Sequence, residues 1–282
     1  MNRRRNESLV KMTMTAILMS LAVLLSRFLS VYINIGGTPL VEIGFQTIPV
    51  LVCSLVCGPF YGALCGGGVD LITALAFPVG PFFPGFTLDA ALLGLLPGLA
   101  LKWTKRIRSR KAIFSLAILA LSTIGLSFTL PFVEELKLGE SHLVLPLWLK
   151  ILLPLIYFLV AAFFLSLSFF LDRRIEKRKR FPSFSLFDCF LAFYSRDLFV
   201  RPFLAPVWLL FLYGVPYEVS FLSQLLGSFL TLPIEAVLLY VVLIPVSIVC
   251  KREIQATYPE KDTRFYSKLV KGKNLSNPFL IL

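Results

Sequence analysis

The residues with the most chemistry in them sit together between Gly58 and Leu88, in the run GPFYGALCGGGVDLITALAFPVGPFFPGFTL. One carboxylate, Asp70, interrupts an apolar, glycine-rich stretch. Beyond it Pro78, Gly80, Pro81, Pro84 and Gly85 are threaded with Phe77, Phe82, Phe83 and Phe86. A charge in hydrocarbon costs about 2.5–3.5 kcal/mol even on the lenient insertion scales, and it is kept where it faces a cavity or a partner. An aromatic, turn-rich loop at the mouth of such a helix has the composition of a lid. Its bends would let it close over a pocket at the end of that helix.

Other polar groups inside apolar runs extend this set. Arg27 closes the first apolar run on the same side as the aromatic loop. It either snorkels to the interface or grips an anionic ligand. Asp70, Asp89 and Glu235 are intramembrane acids, each open to structural hydrogen bonding or ligand contact. Trp208, Tyr213 and Tyr217 gather near the end of a later run, either as a membrane-interface belt or as rings that stack on a ligand.

Catalysis and metal binding find no support. The chain has one histidine, His142, so neither zinc-protease spacing nor a Ser/His/Asp set is available. Gly272-Lys273 is followed by Asn274 and lacks the upstream glycine pattern of an ATP-binding P-loop. Cys53, Cys57, Cys65, Cys189 and Cys250 lie in or at the ends of apolar runs, which reads as buried thiols rather than a disulfide or zinc framework. No metal or cofactor is expected, and the protein is expected not to be an enzyme.

The elements that position these residues are membrane helices. The chain is 57% hydrophobic with a mean hydropathy of +0.82, which excludes a soluble domain and a disordered chain. Its long unbroken apolar runs exclude the alternation of a β-barrel. The net charge of +12 comes from basic blocks between those runs, the pattern of cytoplasmic loops rather than of nucleic-acid binding.

The spans are expected at about Met12–Val31, Glu42–Cys57, Pro59–Phe77, Thr87–Trp103, Ala112–Val133, Leu147–Leu171, Leu186–Tyr213 and Phe221–Val249. A short loop at Gly36-Gly37-Thr38-Pro39 joins the first two, and Glu134–His142 is a second external loop. The start of the seventh span is amphipathic and reads as interfacial. Large basic blocks at 3–11, 102–111, 173–180 and beyond Lys251 all fall on one side, which places both termini in the cytoplasm. The tail 251–282 reads as solvated. Gly58, Gly62 and Gly66 form a small-residue row suited to close helix packing. Ala16 and Ser20, with Ala22 and Ser26 behind them, form a similar patch that either packs inside or docks another membrane protein.

These residues resemble the substrate-binding S components of energy-coupling factor (ECF) transporters, specifically the folate family. The resemblance is carried by Leu25-Ser26-Arg27-Phe28-Leu29-Ser30, by Ile43-Gly44-Phe45 with Ile48-Pro49, and by the run Gly58–Leu88 with Asp70-Leu71-Ile72 and Phe83-Pro84-Gly85-Phe86-Thr87-Leu88. Trp208 with Leu209–Gly214, and Leu232-Pro233-Ile234-Glu235, continue it. It covers roughly residues 10–103 and 198–250.

The resemblance implies an all-α polytopic bundle: a six-helix core interrupted by an inserted two-helix hairpin, about eight transmembrane helices in all. The expected parts are the first four core helices in 1–111, the inserted hairpin 112–180, the last two core helices in 181–250 and the basic cytoplasmic tail 251–282. It also implies a bacterial membrane subunit that captures a vitamin, foremost folate, from outside. Release inside would be driven by a transmembrane coupling protein and two ATPase subunits. Arg27 would be the anion anchor, Phe82, Phe83, Phe86 and Trp208 stacking or lid residues, Asp70 a polar pocket or support residue, and Tyr213 a further substrate-binding residue. Ala16 and Ser20 would contact the coupling protein. Ala205-Pro206 stands where the family carries an Asn-Thr pair, and Gln224 and Gly227 stand where it carries an arginine and a lysine. A second cationic contact is therefore expected to be missing. Another vitamin, or a non-transport membrane scaffold, stays open as an alternative.

Overall fold

The computed structural model describes residues 2–35, 38–78, 82–106, 135–138, 141–144, 146–176 and 184–258, with Leu119, Ala120, Thr123, Ile124 and Ser127. Helix α1 (Asn2–Phe28) starts well before Met12, because arginine and lysine are good helix formers and carry the helix beyond the apolar run. It also ends before Val31. Strands β1 (Ser30–Ile35) and β2 (Thr38–Gly44) pair antiparallel, from Ser30 opposite Gly44 to Ile35 opposite Thr38. Val31, Ile33, Ile35, Val41 and Ile43 are β-branched and favour extended backbone. This hairpin replaces the helical ends expected there, so α2 is the short helix Thr47–Cys57.

Gly58 turns the chain sharply with φ at +108°, a backbone region costly to any side chain. Helix α3 (Pro59–Ala76) follows with Pro59 at its first turn, where a missing N–H costs nothing. Gly58 is therefore the turn itself and not the first member of a helical row. Helix α4 (Pro84–Arg106) starts inside the aromatic loop, ahead of Thr87. A second hairpin pairs β3 (Glu135–Leu138) with β4 (Ser141–Val144), where an irregular loop was expected. The remaining helices are α5 (Leu147–Glu176), α6 (Leu186–Phe199), α7 (Ala205–Tyr213), α8 (Tyr217–Val249) and α9 (Lys251–Thr257). A π-helical turn at Val200–Leu204 joins α6 to α7.

The fold is thus an all-α bundle with two short hairpins whose strands β2 and β3 rest against α8. Among the described residues, Asn6–Phe28, Pro59–Ala76, Pro84–Thr104 and Lys150–Phe170 are long and apolar enough to cross a membrane. Thr47–Cys57 and Ile234–Val249 are shorter apolar helices. The expected span Ala112–Val133 lies largely outside the described residues, as do 107–111, 177–183 and 259–282.

Helix α2 is the axis of the bundle, buried at every position from Pro49 to Cys57. Helix α6 is buried as well: Phe187, Cys189, Phe190, Leu191, Ala192 and Phe193 are all in the core. Its interfacial reading is therefore corrected. The polar residues that made it look amphipathic find partners inside the protein. Ser185 and Asp188 close a capping box on the first turn, Ser195 donates to the Ala192 carbonyl at 2.9 Å, and Arg196 pairs with Glu235. All five cysteines are buried and unbridged.

The start of the tail is not solvated. Helix α9 folds under α2: the Thr257 hydroxyl donates to the Val56 carbonyl at 3.1 Å, and Lys11 Nζ donates to Thr257 Oγ1 at 2.6 Å. Ile254 and Tyr258 are buried there, and burial pushes the Tyr258 phenol above its ordinary pKa.

Helices α3 and α4 make the closest contact in the bundle. A Cβ at Gly62 would strike the Gly94 carbonyl and lie 2.6 Å from Ser54 Cβ, and one at Gly66 would strike the Ala90 carbonyl. Small residues allow such an approach without intervening side chains. Near Pro97, which interrupts the α4 ladder, Ser54 enters the gap. Its hydroxyl donates to the Gly94 carbonyl at 2.5 Å and accepts from the Gly98 N–H at 2.9 Å. These are the two ends of one helical rung, so the serine satisfies backbone groups that lipid could not. Gly62→Val is expected to lower the thermal unfolding midpoint in detergent by several degrees or abolish folded yield. Gly67→Ala, whose Cβ would meet Ala91 Cβ at 3.3 Å, is expected to change the midpoint far less. Equal midpoints for the two variants would contradict the close approach.

Candidate functional site

At one end of the bundle the ends of α1, α2, α3, α4 and α7 surround a cavity of about 290 Å³. That is near the lower bound of small-molecule pockets, which run from about 300 to 1,000 Å³. Its walls are apolar, from Val50, Leu51, Leu93 and the phenylalanines, and its polar groups are few and of both charges.

Arg27 stands at the rim. It is exposed, and its Nη2 donates to the Phe77 carbonyl at 2.7 Å and to the Thr73 carbonyl at 3.3 Å. Its guanidinium lies 4.6 Å from the Phe77 ring centroid. Arg27 therefore ties α1 to the end of α3, sharing the Thr73 carbonyl with the Phe77 N–H and holding the Phe77 carbonyl just past the helix. The contact is a cavity-edge clamp rather than snorkelling alone.

Asp70 lies one turn deeper on α3 and lines the cavity. The Thr87 hydroxyl donates to its Oδ2 at 2.7 Å across the α3–α4 contact. The aromatic loop supplies Phe82, Phe83 and Phe86 to the same lining. Phe83 meets Phe86 edge-on at 6.1 Å.

The remaining expected ring residues divide. Tyr213 lines the cavity at the end of α7. Trp208 lies behind it: its ring is 5.4 Å from Phe83, and its Nε1 donates to Asp89 Oδ1 at 3.1 Å. Trp208 and Asp89 are thus a support for the lid and are not among the described lining residues. A Cβ at Gly85 would lie within 2.9 Å of Trp208, so the glycine lets the loop close on that ring. Tyr217 is elsewhere, stacked on Phe221 at 6.0 Å. The three aromatics are therefore not one cluster.

The sequence reading missed Arg196. Its side chain is 2% exposed, lines the cavity, and pairs through Nη2 with Glu235 Oε2 at 3.2 Å. Its guanidinium also lies 5.0 Å from the Phe193 ring centroid. A second cation therefore stands at the cavity after all, from α6 rather than from α8. Ala205, Pro206, Gln224 and Gly227 are not among the described lining residues. The overlooked signal was an arginine in the middle of an apolar run, which is as informative as an acid there. Gln46 and Thr47, at the start of α2, also line the cavity and were not singled out.

On the opposite face, Ala16 and Ser20 of α1 are exposed while Ala22 and Ser26 are buried. The Ser20 hydroxyl donates back to the Ala16 carbonyl at 2.9 Å. That leaves the Ala16/Ser20 stripe small, smooth and outward-facing.

Comparison with known proteins adds three findings. The family described as "ECF transporter, substrate-specific component" matches residues 10–259. The chain is similar to "Folate transporter FolT" of Clostridium novyi (strain NT), 30% identical over 104 residues, or 37% of this chain. The match spans 57% of that relative's length, a little over half. Among solved structures the chain is similar to FolT bound with folic acid, at 17% identity and a TM-score of 0.48, covering 82% of this chain and 91% of that one.

A single substitution at the buried pair should leave an uncompensated charge, which costs about 3–5 kcal/mol. Arg196→Ala is therefore expected to destabilise the protein by about that much, read as a fall in the unfolding midpoint in detergent. Removing both charges, with Arg196→Gln and Glu235→Gln together, is expected to recover most of the loss. Additive losses would show that the two side chains are not coupled.

Proposed function

The chain belongs to the family of ECF transporter substrate-specific components, and from that premise we propose that it captures a folate-like vitamin from outside the cell. The family is one of transporter substrate-binding components rather than of enzymes, and its apolar helices make this a multi-pass membrane protein. The cavity carries the proposal for the ligand. It offers a rim guanidinium, aromatic faces for a flat ring and a polar interior, inside a volume fit for a small molecule. Folate is a flat pterin with an acidic tail, and each part of it has a counterpart there. The similarity to a folate transporter supports the same choice.

In this reading the end carrying the β1–β2 hairpin and the cavity faces outside, and both termini are cytoplasmic. This agrees with the basic residues near the N-terminus and after Val249. Capture needs no catalytic group. Release inside is driven by separate ATPase subunits through a coupling protein docked on the Ala16/Ser20 stripe, where two small outward side chains let another helix approach. In the same reading, the sequence 112–180 is an insertion in the six-helix core and 251–282 a cytoplasmic extension of the chain.

Folic acid added to the purified chain in detergent is expected to quench tryptophan fluorescence saturably, because Trp208 touches the Phe83 lid. Saturation by a different vitamin alone would move the specificity, and silence across a vitamin panel would favour a scaffold. Arg27→Ala is expected to weaken folic acid binding about tenfold or more, the loss of one charge-assisted contact, with protein still in the membrane. Unchanged affinity would remove the anchor. Ala16→Trp is expected to block co-purification with the coupling protein and ATPases while folic acid binding persists. Normal assembly of that variant would remove the docking role.

A further inference from the structure

We propose that helix α9 is a latch at the end of the bundle opposite the cavity: it caps the end of α2 from a distant part of the chain, ties the foot of α1 to that end, and opens locally while the rest of the fold stays closed. The proposal goes beyond the capture reading and stands whichever ligand the cavity takes.

The latch answers a need of α2. Carbonyls in the last turn of a helix lack partners within it, and a buried carbonyl left without a donor is costly. Val56 stands in that turn of α2 and is buried. The chain then turns away at once through Gly58, at a φ of +108°. Helix α9 supplies the donor: the Thr257 hydroxyl donates to the Val56 carbonyl at 3.1 Å. The next residue adds a second bond, from the Tyr258 hydroxyl to the Ser54 carbonyl at 3.4 Å. A Cβ at Gly58 would lie 3.2 Å from Thr257 Cγ2, so the glycine lets the threonine sit against the turn.

The same hydroxyl reaches α1. Lys11 Nζ donates to Thr257 Oγ1 at 2.6 Å. A hydroxyl accepts on its lone pairs while it donates its one proton. Thr257 therefore takes the hydrogen bond of the ammonium and gives its own to α2. Lys11 and Arg27 are sixteen residues apart, about 24 Å along a helix. Helix α1 is thus held at two distant points by a cation on an oxygen: Arg27 on the Thr73 and Phe77 carbonyls, and Lys11 on Thr257. Only the second hold runs through α9.

Size makes α9 separable from the rest. It has seven residues, and isolated helices shorter than about 12–15 residues are marginal in water. It keeps its shape by docking: Ile254 and Tyr258 are buried in the core cluster that also holds Val56, Cys57 and Cys250. An element held at the edge of a fold by a few side chains opens at a lower free energy than the core. Two thiols report on that opening. Cys57 lies between Val56 and Gly58, the residues that Thr257 touches, and Cys250 is where α9 begins. Cys65 lies two turns along α3 and is a deep reference. All three are buried.

The test is the rate at which N-ethylmaleimide labels each cysteine of the folded full chain in detergent, read by peptide mass spectrometry. In the unaltered chain Cys57 and Cys250 are expected to label ahead of Cys65. Thr257→Val keeps the shape of the side chain and removes the hydroxyl. It is expected to speed labelling of Cys57 and Cys250 about tenfold or more, with Cys65 as slow as before. Thr257→Ser, which restores the hydroxyl, is expected to label like the unaltered chain. Lys11→Met is expected to speed the same two sites and to add nothing further to Thr257→Val.

Unchanged rates at Cys57 and Cys250 in Thr257→Val would overturn the latch. So would Cys65 labelling in step with them, in the unaltered chain or the variant, because that is the mark of global unfolding. Rate increases that multiply in the Lys11→Met, Thr257→Val double variant would overturn the tie to α1.

Discussion

Helices α3 and α4 are pressed together with almost nothing between their backbones, and the cavity depends on that contact. A Cβ at Gly62, Gly66 or Gly94 would strike a backbone carbonyl of the facing helix. Farther along the same pair, Asp70 of α3 is held by Thr87 of α4. Phe77 after α3, and Phe82, Phe83 and Phe86 around the start of α4, then line the cavity. A wider separation would break the Asp70–Thr87 bond and move the phenylalanines together. Ser54 locks the opposite end of the contact by bridging Gly94 and Gly98. Gly66 is part of the cavity lining, Gly62 and Gly94 are not among its described residues, and together the three set its dimensions.

Around this contact, polar groups in an apolar medium are managed in two ways. Some are consumed by the fold: Asp89 accepts from Trp208, which backs the lid, and Glu235 balances Arg196. Others are turned toward the cavity, Asp70 with one oxygen held and Arg27 at the rim. Arg196 belongs to both groups, since it is paired on one side and lines the cavity on the other. The site thus carries few polar groups, each fixed by a neighbour, in a mostly apolar wall. That is the pattern expected of a small-molecule site that binds through shape and orientation.

Much of this was legible in the sequence because membrane solvent imposes strong rules. Apolar runs located the helices, and Asp70, Arg27 and the Pro/Gly/Phe loop stood out against them. The failures have physical causes. The first hairpin was missed because β-branched residues at 31, 33, 35, 41 and 43 are as apolar as a helix end, so hydropathy does not separate the two. Helix α6 looked interfacial because its polar residues were counted as solvent-facing, whereas capping and ion pairing engage Asp188 and Arg196 within the protein. Trp208 stands one layer behind the described lining, against Phe83 and Asp89, because spacing gives proximity but not layer. The second cation was sought on α8 and stands on α6, a swap between helices that only the tertiary packing reveals.

The most direct measurement is an experimental structure of the full chain with folic acid bound. The account predicts folic acid in this cavity, its ring among the phenylalanines and its carboxylates at Arg27. Folic acid seated elsewhere, or in this cavity with its carboxylates at Asp70, would contradict it.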